Sequence, residues 1–173
     1  MAAPHRIRTK HLSLDPLLVS DLNEVHALWS EESVREFLWD STSITRERSR
    51  ALLLENEARF ERQHYGMWGL RRRDKKRPEL VGFCGFWSFH DPPEWQLVYG
   101  LAPEARGEGL ATEAVKAMIR HGLRELRFAR VLASADADNA ASLAVLERAG
   151  MQFERRVEIL GRDTVYYSIA GRR

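Results

Sequence analysis

The stretch Pro103-Glu104-Ala105-Arg106-Gly107-Glu108-Gly109-Leu110-Ala111-Thr112 decides how this chain folds. Before it, Trp95 to Leu101 reads as a strand, stopped by Pro103. After it, Thr112 to about Phe128 reads as a helix with Val115, Met118, Ile119, Leu123 and Leu126 on one face. Glycines at 107 and 109 free the backbone between the two elements. Successive N–H groups can then turn toward one bound anion at the positive end of the helix. A diphosphate suits such a cradle. A dinucleotide or ATP does not, because the third glycine of the dinucleotide fingerprint and a Gly-Lys-Ser/Thr run are both missing.

Outward from the loop, the remaining elements fall into place. Ile7 to Leu14 suggests a first strand ending at Asp15-Pro16. Asp21 to Trp29 is amphipathic, a short helical turn holds Val34, Phe37 and Leu38, and Thr45 caps a long helix to about Gln63. Met67–Leu70 and Leu80–Trp87 read as strands joined by the basic run Arg71-Arg72-Arg73-Asp74-Lys75-Lys76-Arg77-Pro78. That run is either a solvated hairpin loop or a contact with RNA, a ribosome or an acidic substrate. Asp91-Pro92-Pro93 is a turn. Arg130–Ala135 is a strand, and Asn139–Ala149 is a helix that Gly150 can end in the left-handed conformation. Phe153–Ile159 and Thr164–Ile169 form a closing pair of strands turned at Gly161. The order is strand, helices, a three-strand meander, helix, strand, helix, two strands. It predicts one domain over residues 1–173, a mixed sheet with helices on its faces.

Composition removes several classes. The formal net charge of +2 is too small to argue for nucleic acid. Cys84 is the only cysteine, so neither an internal disulfide nor a thiol-built zinc site is available. The six histidines show no ligand spacing, and no metal is expected. Neither a secretory signal nor a run of the ~20 apolar residues needed to span a bilayer is visible, so a cytoplasmic location and no membrane partner are expected.

Two motifs resemble the GNAT acetyltransferase superfamily. Arg106-x-x-Gly109-x-Ala111 is similar to its pyrophosphate-binding signature, and Thr112-Glu113-Ala114 to the continuation found in bacterial acetylases of ribosomal-protein N-termini. Independently, Asn139-Ala140-Ala141-Ser142, leading to Ala149-Gly150-Met151, resembles the family's Asn-x-x-Ser helix ending in Ala-Gly-Phe. The likeness is specific over residues 96–151 and loose before them. It implies an α/β (α+β) fold: a mixed, mostly antiparallel seven-stranded sheet, helices on both faces, and a V-shaped split between two central parallel strands. It also implies a dimer as a common state.

The implied reaction is direct attack of a primary amine on the thioester of acetyl-CoA, with a protein or peptide N-terminus as acceptor. Small amines, or a CoA-binding module without catalysis, are the other readings. By the same resemblance, a bulge in the strand before the loop leaves a backbone N–H near Tyr99–Leu101 for the thioester carbonyl. Leu101 and Ala102 pair with the pantetheine arm. Arg106, Gly107, Glu108, Gly109, Leu110, Ala111 and Thr112 take the diphosphate. Asn139 contacts the arm, and Arg148 reaches the nucleotide end. Ser142 is the candidate acid to the departing sulfur, and Glu158, in Glu158-Ile159-Leu160-Gly161-Arg162-Asp163, the candidate base. Where relatives carry a glutamate early in the bulged strand, this chain has Gln96, which cannot accept a proton. Trp39 and Trp87 are candidates for an acceptor pocket. One of Tyr166 and Tyr167 is expected to face the cleft, and His90 is the least implausible catalytic histidine.

Overall fold

A computed structural model describes residues 5–35, 42–76, 78–89 and 94–171. Phe37, Leu38, Trp39, His90 and the 91–93 turn lie outside them. The strands are β1 (Ile7–Arg8), β2 (Leu12–Pro16), β3 (Met67–Arg72), β4 (Leu80–Phe89), β5 (Glu94–Leu101), β6 (Arg130–Asp136), β7 (Gln152–Ile159) and β8 (Arg162–Ala170). The helices are α1 (Leu22–Ser30), α2 (Glu32–Arg35), α3 (Arg46–Gln63), α4 (Leu110–Arg124) and α5 (Ala140–Arg148).

The strands form two antiparallel sheets, one in the order β1-β2-β3-β4-β5 and one in the order β6-β8-β7. Eight strands replace the expected seven, because Thr9 to His11 turn the chain and split the first strand in two. β5 starts one residue before the expected Trp95, with Glu94 paired to Phe89. β5 and β6 lie side by side with no ladder between them among the described residues. This is the expected V-shaped split. Gln96 meets Ser134 across it, and Tyr99 meets Ser142 further along both segments, as in strands that run the same way.

Local signals account for the helix ends. Thr45 Oγ1 accepts the Arg48 N–H at 3.1 Å and starts α3, and His64, left-handed at φ 64°, ends it. α4 begins at Leu110, two residues before the expected start, because Gly109 is its N-cap. It ends at Arg124, short of Phe128. Two apolar clusters pack on the two sides of the sheets. One joins α4 and α5 to strand residues such as Leu97, Leu101, Val131 and Ala133. The other joins α1, α2 and α3 to Met67, Phe83, Trp87 and Val98. β5 contributes to both through the alternation of its side chains, which puts Leu97, Tyr99 and Leu101 on one face and Gln96 and Val98 on the other. Among the described residues no helix is long and apolar enough to cross a membrane.

The three arginines that open the basic run are tied to the fold. Arg71 bonds Asp21 at 3.0 Å, Glu24 at 2.9 Å and the Pro78 carbonyl at 2.9 Å. Arg72 bonds Glu108 at 2.9 Å, and Arg73 caps the Thr9 carbonyl.

Candidate active site

A cavity of about 960 Å³ occupies the split between the sheets. Of the residues singled out from sequence, Leu101, Arg106, Gly107, Gly109, Leu110, Ala111, Thr112, Asn139, Ser142 and Arg148 line it. Ala102, Glu108 and Glu158 do not. A second cavity, of about 770 Å³, lies away from this one between α3 and β2–β3. Its arginines are paired with carboxylates, Arg6 with Asp15 and Arg71 with Asp21.

The cradle has the backbone the loop calls for. Gly107 and Gly109 hold φ of 78° and 77°, the left-handed region that glycine enters at no steric cost. A Cβ built on either would meet no protein atom within 4 Å, so the space beside them is open to a ligand. The first N–H groups of α4 have no intrahelical partner, as in any helix, and its N-cap has no side chain to satisfy them. Donors, open space and the helix dipole together fit a diphosphate. Arg106 folds back instead: its guanidinium donates to the Leu101 carbonyl at 3.1 and 3.2 Å and to the Ser33 carbonyl at 3.4 Å. It fastens the loop to the end of β5 and to α2. Glu108 points outward to Arg72 of β3, and Glu113 of α4 accepts the His11 backbone N–H at 2.8 Å, so the loop and the first turn of α4 are anchored to the same end of β2 and β3.

The bulge expected in β5 is absent. The β4–β5 ladder keeps one register from Gly82–Leu101 to Phe89–Glu94. The free N–H groups arise differently. Ala102 donates to Val81 O at 2.9 Å, which fixes the even-numbered residues of β5 as those bonded to β4. Leu97, Tyr99 and Leu101 therefore turn their backbone groups to the other edge, where no strand pairs with them. The expected donors near Tyr99–Leu101 exist because the sheet is split. Ala102 is corrected as an arm contact: its N–H is held by Val81, and its carbonyl accepts the Ala105 N–H at 2.9 Å.

Asn139 caps α5, its Oδ1 accepting the Ser142 N–H at 3.1 Å while it also lines the cavity. Ser142 Oγ lies 2.5 Å from Tyr99 Oη, and the phenol also reaches the Ser142 carbonyl at 3.0 Å. Sequence reading missed the Tyr99 side chain. Its signal was the alternation with Leu97 and Leu101, which points it at α5. Burial raises the Tyr99 phenol pKa well above its ordinary value, against the lowering effect of the Ser142 hydrogen bond. The phenol stays protonated at neutral pH and can donate.

Glu158 is exposed on β7 and faces away from the cavity, which its neighbour Ile159 lines. The strand alternation that brings Ile159 inward sends Glu158 outward. Among the described lining residues the one carboxylate is Asp136, paired with Arg162. Tyr166 is the tyrosine that faces the cleft, under the Arg155 guanidinium at 4.1 Å, whereas Tyr167 turns to α5 and donates to Glu147 at 2.8 Å. Trp87 lines the cavity as expected, with Arg59 stacked 4.0 Å from its ring centre. Cys84 is fully buried and its thiol pKa is raised by that burial, which removes it as a nucleophile.

Comparison with known proteins places the family and the fold. The family model of the acetyltransferase (GNAT) domain matches residues 11–152. The uncharacterised N-acetyltransferase YoaA of Bacillus subtilis is 26% identical over 149 residues, covering 86% of this chain and 83% of that protein. RimL, a ribosomal L7/L12 α-N-protein acetyltransferase solved in complex with coenzyme A, superposes with a TM-score of 0.80 at 20% identity, over 95% of this chain and 97% of that one. The microcin C7 self-immunity acetyltransferase MccE, solved with acetyl-CoA and AMP, gives 0.78 at 17% identity, over 97% of each. The chain belongs to the GNAT acetyltransferase family. It is an acyl-CoA-dependent N-acetyltransferase, with acetyl-CoA as cosubstrate.

Proposed function

We propose that the acceptor is a protein or peptide N-terminus and that Ser142, backed by Tyr99, is the acid. One observation carries the catalytic part: the Ser142 hydroxyl lies in the cavity beside the unpaired edge of β5, along the path from the α4 N-terminus. Acetyl-CoA supplies an activated acyl group, so no covalent enzyme intermediate is needed. The residues of the chain bind, orient and move protons. Gly107, Gly109 and the first turn of α4 hold the diphosphate. The N–H groups of Tyr99 or Leu101 stabilise negative charge growing on the carbonyl oxygen. The Tyr99 O–H donates to Ser142 Oγ, which leaves the serine proton for the departing sulfur.

Glu158, turned to solvent, has no part in this scheme. The proton of the attacking ammonium passes to water in the cleft, since Asp136 is engaged by Arg162. The N-terminal acceptor is supported by the Thr112-Glu113-Ala114 continuation and by the fold shared with RimL. Thiol release from acetyl-CoA tests the reading with short peptides beginning in Ala or Ser against a panel of polyamines, aminoglycosides and free amino acids. Turnover on peptides at least tenfold above every small amine is expected. Preference for a small amine overturns it.

A further inference from the structure

Two buried side-chain amides in this protein are treated in opposite ways. Asn56 on α3 is fully buried, and both ends of its amide are used. Its Nδ2 donates to the Leu17 and Met67 carbonyls at 2.9 and 3.0 Å, and its Oδ1 accepts the Met67 N–H at 2.7 Å. It staples α3 to the sheet. Gln96 on β5 is 2% exposed. Its Oε1 accepts the Ser134 hydroxyl at 2.5 Å across the split, but its Nε2 has no partner among the described residues. An unmet buried donor costs about 1–3 kcal/mol and is uncommon in native structures. Gln96 is among the residues that line the cleft.

The side of the strand tells which ligand. Gln96 is directly opposite Trp87 in the β4–β5 ladder, so both side chains stand on the same face of the sheet. That face carries α1, α2 and α3. Tyr99, Ser142 and the α4 cradle lie toward the other face. Gln96 is thus turned from the cofactor wall toward the space left for the acceptor. A neutral amide neither takes nor gives up a proton there, but it offers two N–H donors whose direction Ser134 fixes by holding the oxygen. The matching ligand group is an oxygen acceptor.

We propose that Gln96 is a specificity-determining residue whose Nε2 donates to the carbonyl oxygen beside the nucleophilic amine of the acceptor. It selects α-amino acyl compounds over amines that lack an oxygen. This rests on the N-terminal acceptor reading above. A peptide N-terminus carries such a carbonyl on the carbon next to the amine, and an alkylamine has none. A site built to pair with a substrate group discriminates against the analogue without it, because its own donor is then left unmet.

The test compares kcat/KM for an Ala- or Ser-initiated tripeptide amide and for propylamine, in the wild-type enzyme, Gln96→Leu and Gln96→Glu. The glutamate keeps the shape and can accept the Ser134 bond but has no N–H to donate. Acetyl-CoA affinity by calorimetry confirms that each variant is folded. The peptide-to-propylamine ratio is expected to fall about 10- to 100-fold in both variants. Equal losses on the two amines, or an unchanged ratio, overturn the proposal while leaving the N-terminal reading intact. A wild-type enzyme inactive on every α-amino acyl compound overturns both.

Discussion

Six residues between Arg106 and Thr112, all but the outward-pointing Glu108, line one wall of the cleft, and glycine backbone shapes it. The opposite wall is assembled from side chains far apart in sequence: Arg48 of α3, Trp87 of β4, Gln96 of β5, Ser134 of β6, and Arg162 and Tyr166 of β8. In the proposed reading the first wall holds the diphosphate that every acyl-CoA carries, so a short rigid loop at a helix end suffices. The second is proposed to fit the acceptor, and it draws on five elements whose relative positions the whole fold sets. The difference teaches where to expect tolerance. A change in the loop should strike cofactor binding directly, whereas a change in the assembled wall should alter which amine reacts.

The sharpest break is expected at Gly109→Val. The left-handed φ of 77° costs a non-glycine residue about 1–2 kcal/mol, and the added methyl groups enter the open space of the cradle. Acetyl-CoA affinity by calorimetry should fall on the order of 100-fold, from the loss of charge-assisted bonds. Unchanged affinity would sink the cradle assignment.

Next in size is the pair that joins the two sides. Ser142→Ala should lower kcat about 100-fold with little effect on acetyl-CoA affinity. Tyr99→Phe should cost about tenfold, because the serine remains but loses its proton supply. The double variant should be hardly worse than Ser142→Ala alone, since both act on one proton path. Additive losses would show two separate roles.

A smaller effect, on stability and not on turnover, is expected at Arg71→Ala. Hydrogen bonds from Arg71, aided by the Leu80 N–H, hold the Glu24 carboxyl below the usual carboxylate range against the opposing effect of burial. Such a depressed group stabilises the fold fully above the unfolded glutamate pKa of about 4.3 and loses that contribution as pH falls through the lower folded value. The variant should lose about 1 kcal/mol at neutral pH, discounted for exposure, and the gap should close toward pH 3 in denaturant titrations. A gap that persists in acid would assign Arg71 a packing role.

The least effect is expected at Glu158→Gln. The carboxylate is outside the cleft, so kcat/KM should change by less than about twofold. A loss of tenfold or more would return it to the chemistry and remove water as the proton acceptor.

How legible the molecule was follows from the range of the forces involved. The cradle, the Thr45 and Asn139 caps and the α4 face were readable because each depends on hydrogen bonds or periodicity within a few residues. The split strand at Thr9–His11 was not, because weak alternation hides a tight turn. The β5 bulge was expected where an unpaired edge supplies the donors instead. The basic run 71–77 read as a solvated loop or a docking site. The carboxylates that engage it, Asp21, Glu24 and Glu108, come from segments far from it in the chain.

By itself the sequence determined the family, the glycine loop before α4 and Ser142 in the first turn of α5. The tertiary structure decided that Tyr99 backs Ser142, that Gln96 keeps an unmet donor in the cleft and that Glu158 faces solvent. Each of these turns on which face of a strand a residue occupies. A shift of one residue reverses that face, and only the packed sheets and helices fix the register.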